Sequence, residues 1–167
     1  MTFGYDTRIK HFLGSPKSKN TVSDISWDLL VGLEVERRSD PNRALLFVAH
    51  SLGGIVTKEA LRRSYGCQMH QPHLRTIYEA TRGIVFFGTP HSGADPRGII
   101  QHIIQGLAKI AGFSPNEQIV ATLLPSSERL RELRNEFGPM AHQQKWTIYS
   151  FQEEYGVKLL NNKKVGS

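Results

Sequence analysis

The stretch Ala49-His50-Ser51-Leu52-Gly53-Gly54 constrains this chain more than any other. It follows an apolar run, Ala44-Leu45-Leu46-Phe47-Val48, and precedes a helix-like segment, Ile55 to Arg63. Strand, sharp turn and helix in that order lift a serine hydroxyl out of a parallel sheet, where it can act as a nucleophile. The backbone at such a serine is strained, so the residues two before and two after it must be small for strand and helix to pass closely. Gly53 meets the second condition. Ala49 stands where glycine is usual and departs from it by one methyl group. The N–H of Leu52, at the helix start, is placed to donate to an oxyanion. The plainer reading of the same residues is a Ser-Leu-Gly-Gly turn that caps an ordinary helix. A serine nucleophile also needs a base, an acid to orient the base and an oxyanion hole, and the remainder of the chain can be searched for them.

That remainder alternates strand and helix patterns. Thr2-Phe3-Gly4-Tyr5 reads as a short strand, followed by a polar loop with Gly14, Ser15 and Pro16. Ile25, Leu29, Leu30 and Leu33 recur at helical spacing and predict an amphipathic helix from Val22 to Arg37, capped by Ser23 or Asn20. Ser39-Asp40-Pro41-Asn42 is a turn. The continuous apolar run Ala44 to Val48 is expected at the buried centre of a parallel sheet. A short helix is predicted near Leu74 to Ala80. A second buried strand follows over Gly83 to Gly88, ended by Thr89-Pro90-His91-Ser92-Gly93 because proline cannot continue a ladder. Ile99, Ile100, Ile103, Ile104, Leu107 and Ile110 form an apolar stripe, read as core in preference to a lid or interface helix. Ser127 to Phe137 makes a charged helix, Trp146 to Phe151 a third strand, and Tyr155 to Ser167 a tail of little pattern. The alternation predicts an α/β fold with a mostly parallel sheet flanked by helices, in one domain spanning 1–167.

Composition narrows the partners. Hydrophobic content of 39% and charged content of 22% suit an ordinary globular chain. The net charge of +6 is spread from Arg8 to Lys164 without a basic cluster, so no nucleic-acid role is expected. The single cysteine, Cys67, rules out a disulfide framework within the chain and suits a reducing compartment. Neither a signal peptide nor a membrane-spanning run is present, so an intracellular, cytoplasmic protein is expected.

Three segments then carry a resemblance. Phe3-Gly4-Tyr5-Asp6, Val48 to Leu61 and Phe86-Phe87-Gly88-Thr89-Pro90-His91-Ser92-Gly93-Ala94-Asp95 occur in that order. Together they resemble the lipase-like α/β-hydrolase domains of the serine-active-site-containing protein group, which are also found at the N-terminus of fungal NOD-like receptor proteins. The resemblance covers nearly the whole chain. It implies an esterase- or lipase-type fold acting on esters or lipids, with peripheral membrane contact and mitochondrial or endoplasmic-reticulum association among the options. Ser51 matches the nucleophile. Ser150-Phe151-Gln152-Glu153 matches the strand end that bears the catalytic acid, which makes Glu153 the candidate, with Glu154 as its fallback. The relatives begin with further strands and a His-Gly loop that supplies a second oxyanion donor. They continue past the acid to one more strand and then the histidine base. The chain is therefore expected to be truncated at both ends and incomplete or inactive as it stands.

Seven histidines could be asked to replace that base: His11, His50, His70, His73, His91, His102 and His142. His50 adjoins the serine, but strand alternation turns its side chain the other way, so it is a structural residue at the margin of the site. His91 lies at the carboxyl end of the second strand, the edge where such sites collect, and is the best-placed substitute. In the relatives its loop, with Thr89, lines the site without supplying the base. The other histidines read as surface or loop residues. No histidine pair has metal-ligand spacing with neighbouring carboxylates, so neither a metal nor a cofactor is expected. A phosphate-binding reading of Gly53-Gly54 lacks the lysine and spacing of a phosphate loop. The competing class is a non-catalytic signalling module with a protein partner, derived from the N-terminal region of a NOD-like receptor-type protein. Apolar surface left bare by missing strands would suit such a partner, or cause instability.

Overall fold

The computed structural model describes residues 2, 21–67, 71–90, 98, 100, 101, 103–105, 124 and 126–151. Residues 3–5 of the strand expected over Thr2 to Tyr5, and the tail from Tyr155, lie outside them. The described elements are α1 (Val22–Arg37), β1 (Leu45–His50), α2 (Leu52–Gly66), α3 (Pro72–Ala80), β2 (Thr81–Phe87), α4 (Ser127–Gln143) and β3 (Thr147–Phe151). The strands form one parallel sheet in the order β1-β2-β3. The molecule is thus of the α/β class, as the alternating pattern predicted.

Helix α1 has the predicted limits but a different cap. Thr21 Oγ1 accepts from the Asp24 N–H at 3.4 Å, and the Asp24 carboxylate accepts from the Thr21 N–H at 2.9 Å. This reciprocal pair satisfies two otherwise orphaned donors. Ser23 lies inside the helix, and Asn20 is outside the described residues. Val22, Ile25, Leu29, Leu30 and Leu33 are buried along one stripe. Helix α4 runs past the expected stop at Phe137, through Gly138 and Pro139, to Gln143. Packing overrides local propensity there. Met140 and Ala141 are buried beside Trp146, and the Tyr78 hydroxyl donates to the Met140 carbonyl at 3.3 Å.

Helix α2 is the centre of the helical layer and packs on α1, α3, α4 and β1. That position explains its burial almost all round, including Thr57, Lys58, Glu59 and Ser64. The Ser64 hydroxyl donates to the Leu74 carbonyl at 2.5 Å and accepts from the Tyr78 N–H at 2.9 Å, which ties α2 to α3. Glu59 is buried but ringed by Arg62, Arg63 and Arg129, the last from α4. Burial alone would raise its pKa; hydrogen bonds from Arg62 and Arg63 outweigh that and hold its carboxyl below the usual range. Ile103 is fully buried, and Ile100 and Ile104 pack on the core, so these three members of the isoleucine stripe are core residues.

The expectation of a strand buried on both faces needs correction. Leu46 and Val48 of β1 are 74% and 73% exposed, whereas Ala49 is buried. The reason is topological. Strands added in one direction, each through a right-handed crossover, place all their connecting helices on the same face. The opposite face carries Leu46 beside Gly83, Val48 in register with Val85 and Tyr149, and Phe87 in register with Phe151, and none of the described helices covers it. Among the described residues, no helix is long and apolar enough to cross a membrane.

Candidate functional site

Parallel strands bring their carboxyl ends to one edge, where open α/β sheets bind ligands. Ser51 sits there, in the single-residue link between β1 and α2. Its backbone has φ 50° and ψ −123°, one of two positive-φ non-glycine conformations among the described residues. An L-residue there costs on the order of 1–3 kcal/mol and persists only when its surroundings over-determine it.

Those surroundings are specific. The Ser51 N–H donates to the Phe87 carbonyl at 2.9 Å, extending the β1–β2 ladder by one residue. The Ser51 carbonyl accepts from the Gly54 N–H at 3.1 Å and from the Thr89 hydroxyl at 3.2 Å. The side chain is treated differently. Ser51 is 1% exposed, yet its Oγ makes no cap bond to α2 and has no hydrogen-bond partner among the described residues. The capping reading of this serine therefore fails. Leaving a buried hydroxyl unsatisfied costs about 1–3 kcal/mol, and such groups in native structures call for an explanation.

Leu52 opens α2 and is fully buried. Its N–H belongs to the first turn, whose donors have no intrahelical acceptor, and lies at the positive end of the helix dipole. That is the chemistry an oxyanion donor requires. Thr89, expected to line the site, is 1% exposed and touches Ser51 directly. His50, also expected at the margin, pairs in register with Phe87 at the end of β1. His91, Glu153 and Glu154 lie outside the described residues. His73 and His142 are exposed on α3 and α4. Among the described residues no cluster of three or more His, Cys, Asp or Glu side chains could hold a metal ion.

Two residues near the turn were not anticipated. Gly54 was read only as part of a Gly-Gly pair, yet a Cβ there would lie 2.8 Å from Thr89 Cβ and closer still to its Oγ1 and Cγ2. Lys58, two turns along α2, is buried with its ammonium 5.2 Å from the Phe86 ring centroid and 5.3 Å from that of Phe137. Burial pushes its pKa down from the ordinary 10.5 to about 8. The sequence carried no signal for this, because Lys58-Glu59 reads as a solvated pair.

The chain is similar to Protein SERAC1 of several animals. It is 27% identical to the Bos taurus protein over 150 residues, and 24% identical to those of Mus musculus and Homo sapiens over 157 residues. Each alignment covers 89% of this chain and 21% of the relative, so the chain spans about a fifth of the length of the curated relatives it matches. No protein-family model matches the chain, and no solved structure matches it significantly.

Proposed function

We propose that this chain is a serine-hydrolase-type domain of the α/β-hydrolase class, esterase- or lipase-like and acting on carboxylic esters or lipids, with Ser51 as nucleophile. One observation carries the reading. A serine stands at φ 50° between a parallel strand and a helix, with its hydroxyl withheld from the helix cap. Strain at a single residue on the carboxyl edge of a sheet is where function is to be sought. The three ordered motifs and the similarity to Protein SERAC1 over 89% of the chain support the same reading.

In this reading Ser51 Oγ bonds to the ester carbonyl carbon while its proton passes to a base. The Leu52 N–H stabilises the charge that develops on the carbonyl oxygen. The tetrahedral adduct collapses and the alcohol leaves with that proton. Water then cleaves the acyl-serine, which releases the acid and restores the hydroxyl. Glu153 is the proposed acid that orients the base, and His91 the best-placed substitute for that base within this chain. No base contacts Ser51 Oγ among the described residues. Loss of one triad member typically costs several orders of magnitude in rate.

The burial of Ser51, with 1% exposed, favours a second reading: a non-catalytic signalling or interaction module built on a hydrolase-type scaffold, of the kind found in NOD-like receptor-type proteins. A fluorophosphonate probe separates the two. The hydrolase reading expects covalent labelling of the folded protein that disappears in Ser51→Ala. Absence of labelling in folded protein, with an unchanged circular dichroism spectrum, supports the interaction module instead.

A further inference from the structure

We propose that Thr89 is a positioning residue that clamps the strained backbone of Ser51, and that Gly54 lacks a side chain so that the clamp can close. The ψ angle of Ser51 sets the direction of its carbonyl oxygen, so a donor aimed at that oxygen resists rotation away from −123°. Two donors reach it. The Gly54 N–H is local and comes with the first turn of α2. The Thr89 hydroxyl is non-local, separated by 38 residues, and arrives from the loop after β2 at 3.2 Å. Thr89 is 1% exposed, so this bond is made out of competition with water.

The approach leaves no room for a Cβ on residue 54, which would lie 2.8 Å from Thr89 Cβ. Gly54 has an ordinary helical conformation, so close approach, and not backbone freedom, explains this glycine. The clamp is itself anchored. Gly88 precedes Thr89 at φ 51°, and its N–H donates to the Phe151 carbonyl at 2.8 Å. The ends of β2 and β3 therefore hold Thr89, and Thr89 holds the turn after β1. Ser51 pinned at both its N–H and its carbonyl keeps its Cβ in one place, which limits the positions a nucleophilic hydroxyl can take.

The consequence for rate rests on the reading of Ser51 as nucleophile; the clamp itself does not. A double-mutant cycle isolates it. Ser51→Gly removes the strain, because glycine tolerates positive φ. Thr89→Val keeps the branched shape and deletes the donor, whereas Thr89→Ser keeps the donor. If Thr89 holds strain, Thr89→Val lowers the folding equilibrium constant less with Ser51 present than with glycine there, by a factor of up to about ten, because the released Ser51 backbone relaxes and returns part of the strain. Thr89→Ser shows little of this coupling. Equal costs in both backgrounds, or unfolding in both, overturn it, because the contact is then ordinary packing. In folded protein that labels with fluorophosphonate, Thr89→Val labels at least tenfold more slowly than wild type, and Thr89→Ser close to the wild-type rate. If wild type does not label at all, the nucleophile reading falls and the cycle alone decides the clamp.

Discussion

Phe86 and Phe87 are consecutive in sequence and opposite in circumstance. Phe86 is fully buried, with its ring 6.0 Å from that of Phe137 and the Lys58 ammonium over its face. Phe87 is 40% exposed and stacks on Phe151 at 5.2 Å, itself 54% exposed. Strand alternation separates them by the thickness of the sheet: one side is the floor of a helical layer, the other a surface of Leu46, Val48, Phe87, Tyr149 and Phe151 that no described helix covers. The same residue type, one position apart, belongs to the core on one face and to the surface on the other. Apolar content thus says that a strand sits in a sheet; it does not say how many layers the sheet separates.

The largest expected difference tests this contrast directly. Phe86→Ala should destabilise by about 4 kcal/mol, a transfer and cavity cost typical of a buried aromatic residue. Phe87→Ala should cost less than about 1 kcal/mol, as expected for a side chain that keeps much of its exposure. Urea unfolding of the two variants measures both. Equal costs would show that the bare face is covered in the protein in solution.

Next in size is the pH response of the covered face. Between pH 8 and 10.5 the unfolded chain holds the Lys58 proton and the folded chain releases it, so stability rises with pH across that window. Below pH 8 both states are protonated and the gain is absent. The gap between the two pKa values corresponds to roughly 3 kcal/mol. Lys58→Met should flatten the rise and raise stability at neutral pH, as read from thermal melts at fixed ionic strength. A rise that persists in Lys58→Met would assign it to another group.

The smallest effect lies at the edge where the faces meet. Ser51→Ala removes a buried hydroxyl without a partner and should stabilise by about 1 kcal/mol. Ser51→Gly should stabilise further by relieving the positive φ. Destabilisation by Ser51→Ala in urea melts would mean that the hydroxyl is satisfied in solution. A residue that weakens the fold while standing at a potential catalytic position is the usual signature of stability exchanged for function.

Much of this was legible in advance, for a local reason. The α1 limits followed from apolar residues at helical spacing, and the three strands from short apolar runs between turn residues, with ends displaced by at most two positions. The turn at Ser51 was legible because a strand, a small-residue turn and a helix leave the backbone few alternatives there. Non-local features were not. The Thr21 cap competed with two equally plausible polar neighbours, and only the Asp24 partnership distinguishes it. Helix α4 passes Pro139 because buried contacts beyond the proline outweigh the lost hydrogen bond. Lys58 is buried because α2 lies at the centre of the helical layer.

The sequence by itself determined the elements, their order and the sharp link at Ser51, because hydrophobic period and turn chemistry act over a few residues. Only the tertiary structure decided that the described helices share one face, that Thr89 reaches the Ser51 carbonyl across 38 residues, and that the Ser51 hydroxyl caps nothing among the described residues. Those outcomes depend on the direction in which strands add to the sheet and on which side chains the crossovers bring together, and no window along the chain contains both partners.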